Sequence, residues 1–325
     1  MALTQYPLDK TFLVAAWLES LCYGAFFVVF FIGVYIHFGF HKGQNTHNKV
    51  MFWISVLMFL ISTLHLALDV FRLIRGFVDF RLAPGGPVGY IGDISRWDHI
   101  FKDTLYITQS MVGDAAAIYR CWTLWNRDYR VIALPVSLLG ITIGSGYYVV
   151  DGLFPRESPD ATIFDPRLGT FITLSYAVAV IQNVITTSLM SWRLWQGERR
   201  IGAHRMGEST LIPILRILVE SAALYLLVEI LLLAAYARNY NVQYIILETV
   251  TPIAGLTFSM ITIRINLRSQ KKLANTTTDT GGGSHAIQTI GSIPMRPIVI
   301  RRQVEQIDDI ETRYGKEMTL DGPEP

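Results

Sequence analysis

Two charged residues, Asp114 and Arg120, lie in the apolar stretch MVGDAAAIYRCW. A charged side chain in bilayer hydrocarbon is costly, so it normally faces a protein interior or water and is a candidate for function. Six residues of helix separate the two by about 9 Å along the axis and about 120° around it. Because paired neighbours on a helix are three or four residues apart, we expect each charge to find a partner elsewhere.

A second apolar segment, ILRILVESAALYLLVE, offers such partners. Arg216 and Glu220 are four residues apart there and so lie on one helical face. We expect Asp114, Arg120, Arg216 and Glu220 to form a charge network that balances two negative and two positive groups. Its role is a structural clamp between two helices or a conformational switch.

Other ionisable residues suggest a polar cavity at the opposite, outer ends of the helices. Acidic residues at similar depth are Glu19, Asp69, Asp103, Glu229 and Glu248, and they are joined by His65 and Arg72. The predicted ligand-binding side chains are His65, Asp69, Asp103 and Glu229. Such a cavity favours a cationic or amine-bearing ligand, or conducts protons or cations. Residues near helix ends have a simpler alternative role, which is contact with headgroups or water.

The elements that position these residues are long apolar segments. Of the 325 residues, 51% are hydrophobic and 17% are charged, compared with about 25% charged in typical soluble domains. Seven segments approach the length of about twenty apolar residues that spans a bilayer as a helix. They are residues 12–40, 50–74, 100–125, 131–150, 168–195, 211–237 and 242–265. The fold class predicted is an all-α, seven-transmembrane-helix bundle over residues 1–268.

The ends of the chain have different predicted environments. Lysine and arginine are more frequent on one side of the spans, which predicts an N-terminus outside and a C-terminus in the cytoplasm, in an integral membrane protein of the plasma membrane. Residues 269–325 begin with a low-complexity segment and are predicted to be a flexible cytoplasmic tail. Cys22 and Cys121 lie in different spans, so no disulfide framework is inferred.

The chain resembles a group of uncharacterised fungal, basidiomycete-type seven-transmembrane integral membrane proteins. The resemblance covers most of residues 12–268 and is carried by MVGDAAAIYRCW, LRILVESAALYLLVEILLLAAY and TPIAGLTFSMITIRINLR. It implies seven spans and a fungal membrane, and it brings no reaction with it. More broadly, the chain resembles G-protein-coupled receptors, with Arg120 of IYRCW near the position of their arginine switch. Tyrosine rather than an acid precedes Arg120, and the seventh span has no NPxxY sequence.

Other membrane and enzyme classes lack their required residues. A retinal protein needs a lysine in the seventh span, and none occurs between Asn239 and Leu267. His65 and Asp69 share a helical face, but no second histidine is predicted deep within a span, so no metal site or other cofactor is expected. No phosphate-binding glycine motif or nucleophile elbow is present. The net charge of +2 does not indicate nucleic-acid binding.

The leading hypothesis is a receptor-like signal transducer rather than an enzyme. Its expected partners are membrane lipid, a small-molecule ligand and a cytoplasmic signalling protein. The alternatives are a proton- or cation-coupled transporter that uses the carboxylates as a relay, and a structural membrane protein whose charges hold the helices together.

Overall fold

The protein forms helices throughout the residues that the computed structural model describes, which are 6–39, 46–153, 166–202 and 212–278. No strand occurs within these ranges. The helices are α1 (Leu8–Gly39), α2 (Thr46–Ile74), α3 (Gly86–Ile91), α4 (Trp97–Leu124), α5 (Tyr129–Tyr147), α6 (Pro166–Gly202), α7 (Ile212–Ala237) and α8 (Val242–Thr278). Short π-helical turns follow α2 at Arg75–Asp79 and α5 at Tyr148–Leu153.

Six of the described helices, α1, α2, α5, α6, α7 and α8, are long and apolar enough to cross a membrane. This confirms the predicted all-α membrane class. Helix α4 has 28 residues, a length of about 42 Å at the usual rise, but it carries Asp98, Lys102, Asp103, Asp114 and Arg120. Because of those charges, α4 is not among the helices that are apolar enough to cross a membrane. A bundle of seven spans, with α4 as the third, therefore stays a prediction.

The distribution of polar and apolar side chains is the reverse of that in a soluble domain. Trp17, Tyr35 and Trp53 are 64%, 75% and 68% exposed, whereas Glu19 and Asp98 are fully buried. Broad exposed apolar faces are typical of membrane contact. The helices therefore present apolar groups to lipid and enclose their charged groups.

Helix α4 lies inside the bundle, where it packs against α2, α5 and α6. Helix α8 is joined to α2 by a hydrogen bond of 2.8 Å between the hydroxyls of Ser55 and Ser259. The amide of Gln109 on α4 also donates to the Thr251 carbonyl of α8 at 3.1 Å. These contacts place α4 and α8 side by side.

The approach of α1 to α8 depends on a glycine. Phe26 of α1 is fully buried, and a Cβ added to Gly255 of α8 would lie 2.5 Å from the Phe26 ring. Phe30, one turn further along α1, stacks on Phe59 of α2 with ring centroids 4.1 Å apart. Aromatic packing thus holds α1 against both neighbours, and only a glycine leaves room for it at position 255.

The chain divides into two compact units, Met1–Gln270 and Lys271–Pro325. Helix α8 runs to Thr278, so residues 269–278, predicted to begin a flexible tail, are helical. The sequence KKLAN within them contains good helix formers, which accounts for the continuation. The rest of the predicted tail, residues 279–325, lies outside the described residues.

Candidate functional site

Five buried ionisable side chains from four helices form one group, here called the His65 network. Nδ1 of His65 on α2 lies 2.7 Å from Oε1 of Glu19 on α1, and Nε2 lies 3.6 Å from Oε2 of Glu248 on α8. The ammonium of Lys102 on α4 donates to Oδ1 of Asp69 at 3.1 Å and also to Oε1 of Glu248. The network therefore ties α1, α2, α4 and α8 together through charge-assisted contacts.

A second group, the Arg72 cluster, lies beside this network. Nε of Arg72 lies 3.4 Å from Oδ2 of Asp98, and Nη2 donates to the Ile91 carbonyl at 2.5 Å and to Nδ1 of His99 at 2.7 Å. A guanidinium only donates, so Nδ1 of His99 must be the unprotonated acceptor. The proton of His99 is then on Nε2, which lies 3.3 Å from Oδ2 of Asp103.

Both groups contribute to one wall of a large cavity. Arg72, Lys102, Asp103 and Glu248 line it. The opposite walls are mainly apolar and come from α1, α4, α5, α6 and α8, with the aromatic residues Phe12, Tyr106, Tyr176 and Tyr244 among them. The cavity offers about 100 Å³ to the centres of water-sized spheres, whereas a single water needs roughly 10–15 Å³ on that measure. It has room for a small molecule with one polar and one apolar end.

A separate pair of carboxylates, those of Asp114 on α4 and Glu229 on α7, lies beside Asn183 of α6. The side-chain amide of Asn183 on α6 donates to both carboxylate oxygens of Glu229 on α7, at 3.0 and 2.9 Å. The same Asn183 side chain interacts with the carboxylate of Asp114. Oδ2 of Asp114 is buried and has no hydrogen-bond partner within the described part of the chain. Two acidic groups thus share one neutral amide.

Arg120 is held by neutral groups of α2 and α8. Its Nη2 donates to Oγ1 of Thr262 at 2.6 Å and to the Phe258 carbonyl at 3.3 Å. Its Nε contacts Sδ of Met51 at 3.4 Å, and the guanidinium lies 4.2 Å from the centroid of the Phe258 ring. These contacts fasten the end of α4 to α8.

Asp114 and Arg120 line a small cavity enclosed by α4, α6, α7 and α8. This cavity offers about 80 Å³ to the centres of water-sized spheres. Asn183, Tyr225 and Thr257 add polar groups to its wall. Two cavities with charged residues in their mainly apolar linings thus lie at different levels of α4.

The residues Glu19, His65 and Glu248 have metal-binding atom types within 4.8 Å of one another. Nδ1 of His65 is already in hydrogen-bond contact with Glu19, which leaves only Nε2 for a metal. Lys102 already supplies a positive charge to Glu248. The donor set therefore suits an ammonium or a shared proton better than a divalent cation.

No protein family, curated protein or solved structure matches the chain. The fungal and receptor-like resemblances stay predictions. The function must be argued from the geometry of the site itself.

The predicted cavity residues fall into two places. His65 and Asp69 belong to the same network, and Asp103 lies in the adjoining cluster that lines the same cavity. Glu229 is instead bound to Asn183 beside Asp114. Of the four predicted ligand-binding residues, Asp103 lines the large cavity, His65 and Asp69 contact its lining residues Lys102 and Glu248, and Glu229 lies beside Asp114.

The predicted network between Arg120 and α7 needs a correction. Glu220 is exposed, and the hydrogen bonds of the Arg120 side chain within the described residues go to α2 and α8. The side chain of Arg216 lies outside the described residues. Glu220 fails as a partner because its face of α7 points away from the bundle interior, a rotation that helical spacing alone does not reveal. As the spacing predicted, Asp114 and Arg120 each have partners on other helices.

Sequence analysis missed the central role of Lys102 and the contributions of Asp98 and His99. Helix α4 begins at Trp97, three residues before the predicted start of the third span, so Asp98 and His99 lie in its first turn. The signal that was present is the i, i+4 spacing of His99 and Asp103, which placed an imidazole and a carboxylate on one face.

Proposed function

We propose that the protein is a receptor-like integral membrane protein with seven spans, in which the large cavity binds a small amphipathic molecule. The observation that carries this proposal is that Lys102 and Glu248, which line the cavity, take part in the ion pairs that join α2, α4 and α8. A ligand that changes those contacts changes the packing of three helices at once. Coupling between occupancy and helix position is the basic requirement of a receptor.

The topology proposed places the N-terminus outside and the C-terminus in the cytoplasm of a plasma membrane. The excess of basic residues on one side of the spans supports this orientation. The large cavity then opens in the outer half of the bundle, and the end of α4 with Arg120 lies near the cytoplasm. Helix α4 is the third of the seven spans in this arrangement and is packed against helices with apolar outer faces.

The ligand class follows from the charges around the large cavity. Lys102 and Arg72 already face carboxylates, so an anionic ligand would compete with those pairs. Asp103 faces a neutral imidazole and its side chain is 16% exposed. A primary or secondary amine can form a charge-assisted hydrogen bond there while its hydrocarbon part contacts the aromatic walls. An amine-bearing amphiphile is therefore the proposed ligand.

Binding is tested with the purified full-length protein in lipid nanodiscs. Straight-chain primary amines and the alcohols of the same chain length are compared by thermal shift. Wild type should be stabilised more by the amine, and Asp103→Asn should remove that preference. Asp9→Asn is the matched control, because Asp9 is exposed near the start of α1. Equal response of wild type to amines and alcohols contradicts the proposed ligand class.

A distance measurement tests whether ligand binding in the large cavity moves α4 relative to α8 near Arg120. Thr123 on α4 and Leu267 on α8 are exposed and can carry spin labels as Thr123→Cys and Leu267→Cys, with Cys22 and Cys121 replaced by alanine. A ligand identified by the binding assay should change the distance distribution between the labels. An unchanged distribution at saturating ligand contradicts a receptor role and would show binding without a conformational response.

A proton- or cation-coupled transporter is the second candidate. It is favoured by the placement of Asp114 on α4 beside Glu229 on α7, at a different level of the bundle from the carboxylates of the His65 network. Acidic groups at successive depths are the usual elements of a relay. In proteoliposomes, flux driven by a proton gradient should stop in Asp114→Asn and persist in Glu220→Gln. Absence of flux under any imposed gradient removes this candidate.

A further inference from the structure

The small cavity has opposite charges at its two ends. Asp114 and Arg120 line it, and the helix between them separates their backbones by about 9 Å along the axis of α4. Asn183 and Thr187 of α6, Ser221 of α7 and Thr257 of α8 complete its polar surface. Sites between the helices of a bundle are common places for small-molecule binding.

Among the side chains that the structure describes, none supplies a positively charged partner to the acidic end. Asp114 is 2% exposed, and its Oδ2 is a buried atom without a hydrogen-bond partner among the described residues. Its carboxylate interacts electrostatically with that of Glu229, which is also acidic. The shared neutral amide of Asn183 cannot balance either carboxylate. This end therefore favours a cationic hydrogen-bond donor.

Within the described ranges, the contacts of the basic end are all with uncharged groups. The contacts of Arg120 are a hydroxyl, a carbonyl, a thioether and an aromatic ring. No carboxylate of the described residues lies within ion-pair distance of its guanidinium. A guanidinium has five N–H donors in a planar fork that suits a carboxylate. This end therefore favours an anionic acceptor.

We infer that the small cavity binds a small zwitterion, with its cationic group at Asp114 and its anionic group at Arg120. A simple cation would leave Arg120 uncompensated, and a simple anion would meet the two carboxylates beside Asn183. The cavity offers about 80 Å³, which is space for roughly six water-sized groups. That size suits an amino carboxylic acid whose two charged groups are several bonds apart.

This inference does not rest on the proposed receptor role or on the ligand of the large cavity. It concerns a different cavity, whose lining shares no residue with that of the large one. A zwitterion bound there would be a substrate if the protein transports, and a second ligand if it signals.

The test uses the full-length protein in nanodiscs and isothermal titration calorimetry. The probes are ω-amino carboxylic acids of increasing chain length, from glycine to 6-aminohexanoate. Each is compared with the alkylamine and the carboxylate that carry only one of its charges. One chain length should bind best and exceed its singly charged analogues by about tenfold or more, the expected size of one hydrogen bond to a charged group.

Two variants assign the ends of the ligand. Arg120→Gln should abolish the preference for the zwitterion over the alkylamine, and Asp114→Asn should abolish the preference over the carboxylate. Glu220→Gln, on the exposed face of α7, is the charge-matched control and should bind like wild type. If wild type does not distinguish zwitterions from singly charged analogues, the inference is wrong.

A third variant covers the case in which loss of a buried charge prevents folding. Ala222 lines the small cavity from α7, so Ala222→Leu fills space without a change of charge. It should abolish zwitterion binding while a cooperative thermal transition shows that the variant is folded. Unchanged zwitterion binding in Ala222→Leu would place the ligand elsewhere and overturn the inference.

Discussion

Lys102 of α4 donates a hydrogen bond to Glu248 of α8, a residue 146 positions away in the sequence. Both side chains are buried, and the same ammonium also binds Asp69 of α2. One lysine thus stabilises two carboxylates from two helices. The contact also forms part of the wall of the large cavity, so helix assembly and ligand chemistry depend on the same atoms.

Lys102→Met should destabilise the protein strongly. Removing one partner from a buried ion pair leaves uncompensated charge and costs about 3–5 kcal/mol. Thermal unfolding in a fixed detergent measures the loss. Lys10→Met, at an exposed position of α1, should have little effect. The triple variant Lys102→Met/Asp69→Asn/Glu248→Gln should recover part of the stability, and failure to do so would contradict the assigned pairing.

Arg120→Ala should loosen the contact between α4 and α8. It removes hydrogen bonds to Thr262 and the Phe258 carbonyl together with the contact over the Phe258 ring. Because those contacts involve a charged donor and an aromatic ring, the expected destabilisation is about 1–3 kcal/mol.

The exposed Glu220 provides the comparison for Arg120. Glu220→Gln should change the unfolding free energy by less than about 0.5 kcal/mol, as is usual at surface positions. Equal losses in the two variants would restore the network predicted between α4 and α7.

Gly255→Ala should strain the contact between α1 and α8. The new Cβ would lie 2.5 Å from the Phe26 ring, and overpacking of this kind costs about 1–3 kcal/mol. Gly144→Ala on α5 is the matched control, since no atom lies within 4 Å of its added Cβ. Phe26→Leu should relieve the strain in the Gly255→Ala background. Equal melting temperatures for the two alanine variants would contradict the close approach.

Asn183 and Glu229 should show energetic coupling. Asn183→Leu removes one donor to both Glu229 oxygens and leaves the hydrogen bond with Tyr225, and the loss of a hydrogen bond to a charged group costs about 1.5–3 kcal/mol. In a double-mutant cycle with Glu229→Leu, the second substitution should cost less when the first is present. Additive losses would show that the two side chains do not interact in the folded protein.

Much of the architecture follows from hydropathy, because a run of apolar residues of bilayer length predicts a helix without knowledge of its neighbours. Hydropathy is a weaker guide for helix α4, because its charged residues make the span less apolar. The same charged residues form its contacts with the neighbouring helices. The sequence placed Asp114 and Arg120 on different faces of that helix, and the structure agrees. It did not place Arg120 against Thr262, because spacing within one helix does not give the rotation of another.

The rotation of each helix also explains why the predicted ligand-binding residues lie in two different places. His65 and Asp69 were recognised from their shared helical face, and Asp103 from its depth. Glu229 has a comparable predicted depth, but it faces Asn183 on α6. Depth along a helix can be read from the sequence, whereas the azimuthal direction of a side chain in the bundle depends on packing.

The protonation pattern of His99 gives the large cavity a direction. From Arg72 through the imidazole to Asp103, each N–H points the same way. The chain of hydrogen bonds therefore begins at the guanidinium of Arg72, which only donates, and ends at the carboxylate of Asp103, which accepts. A ligand that reaches its end meets a polarised surface, and a compound with its donor and acceptor groups interchanged would bind in the reverse orientation or not at all.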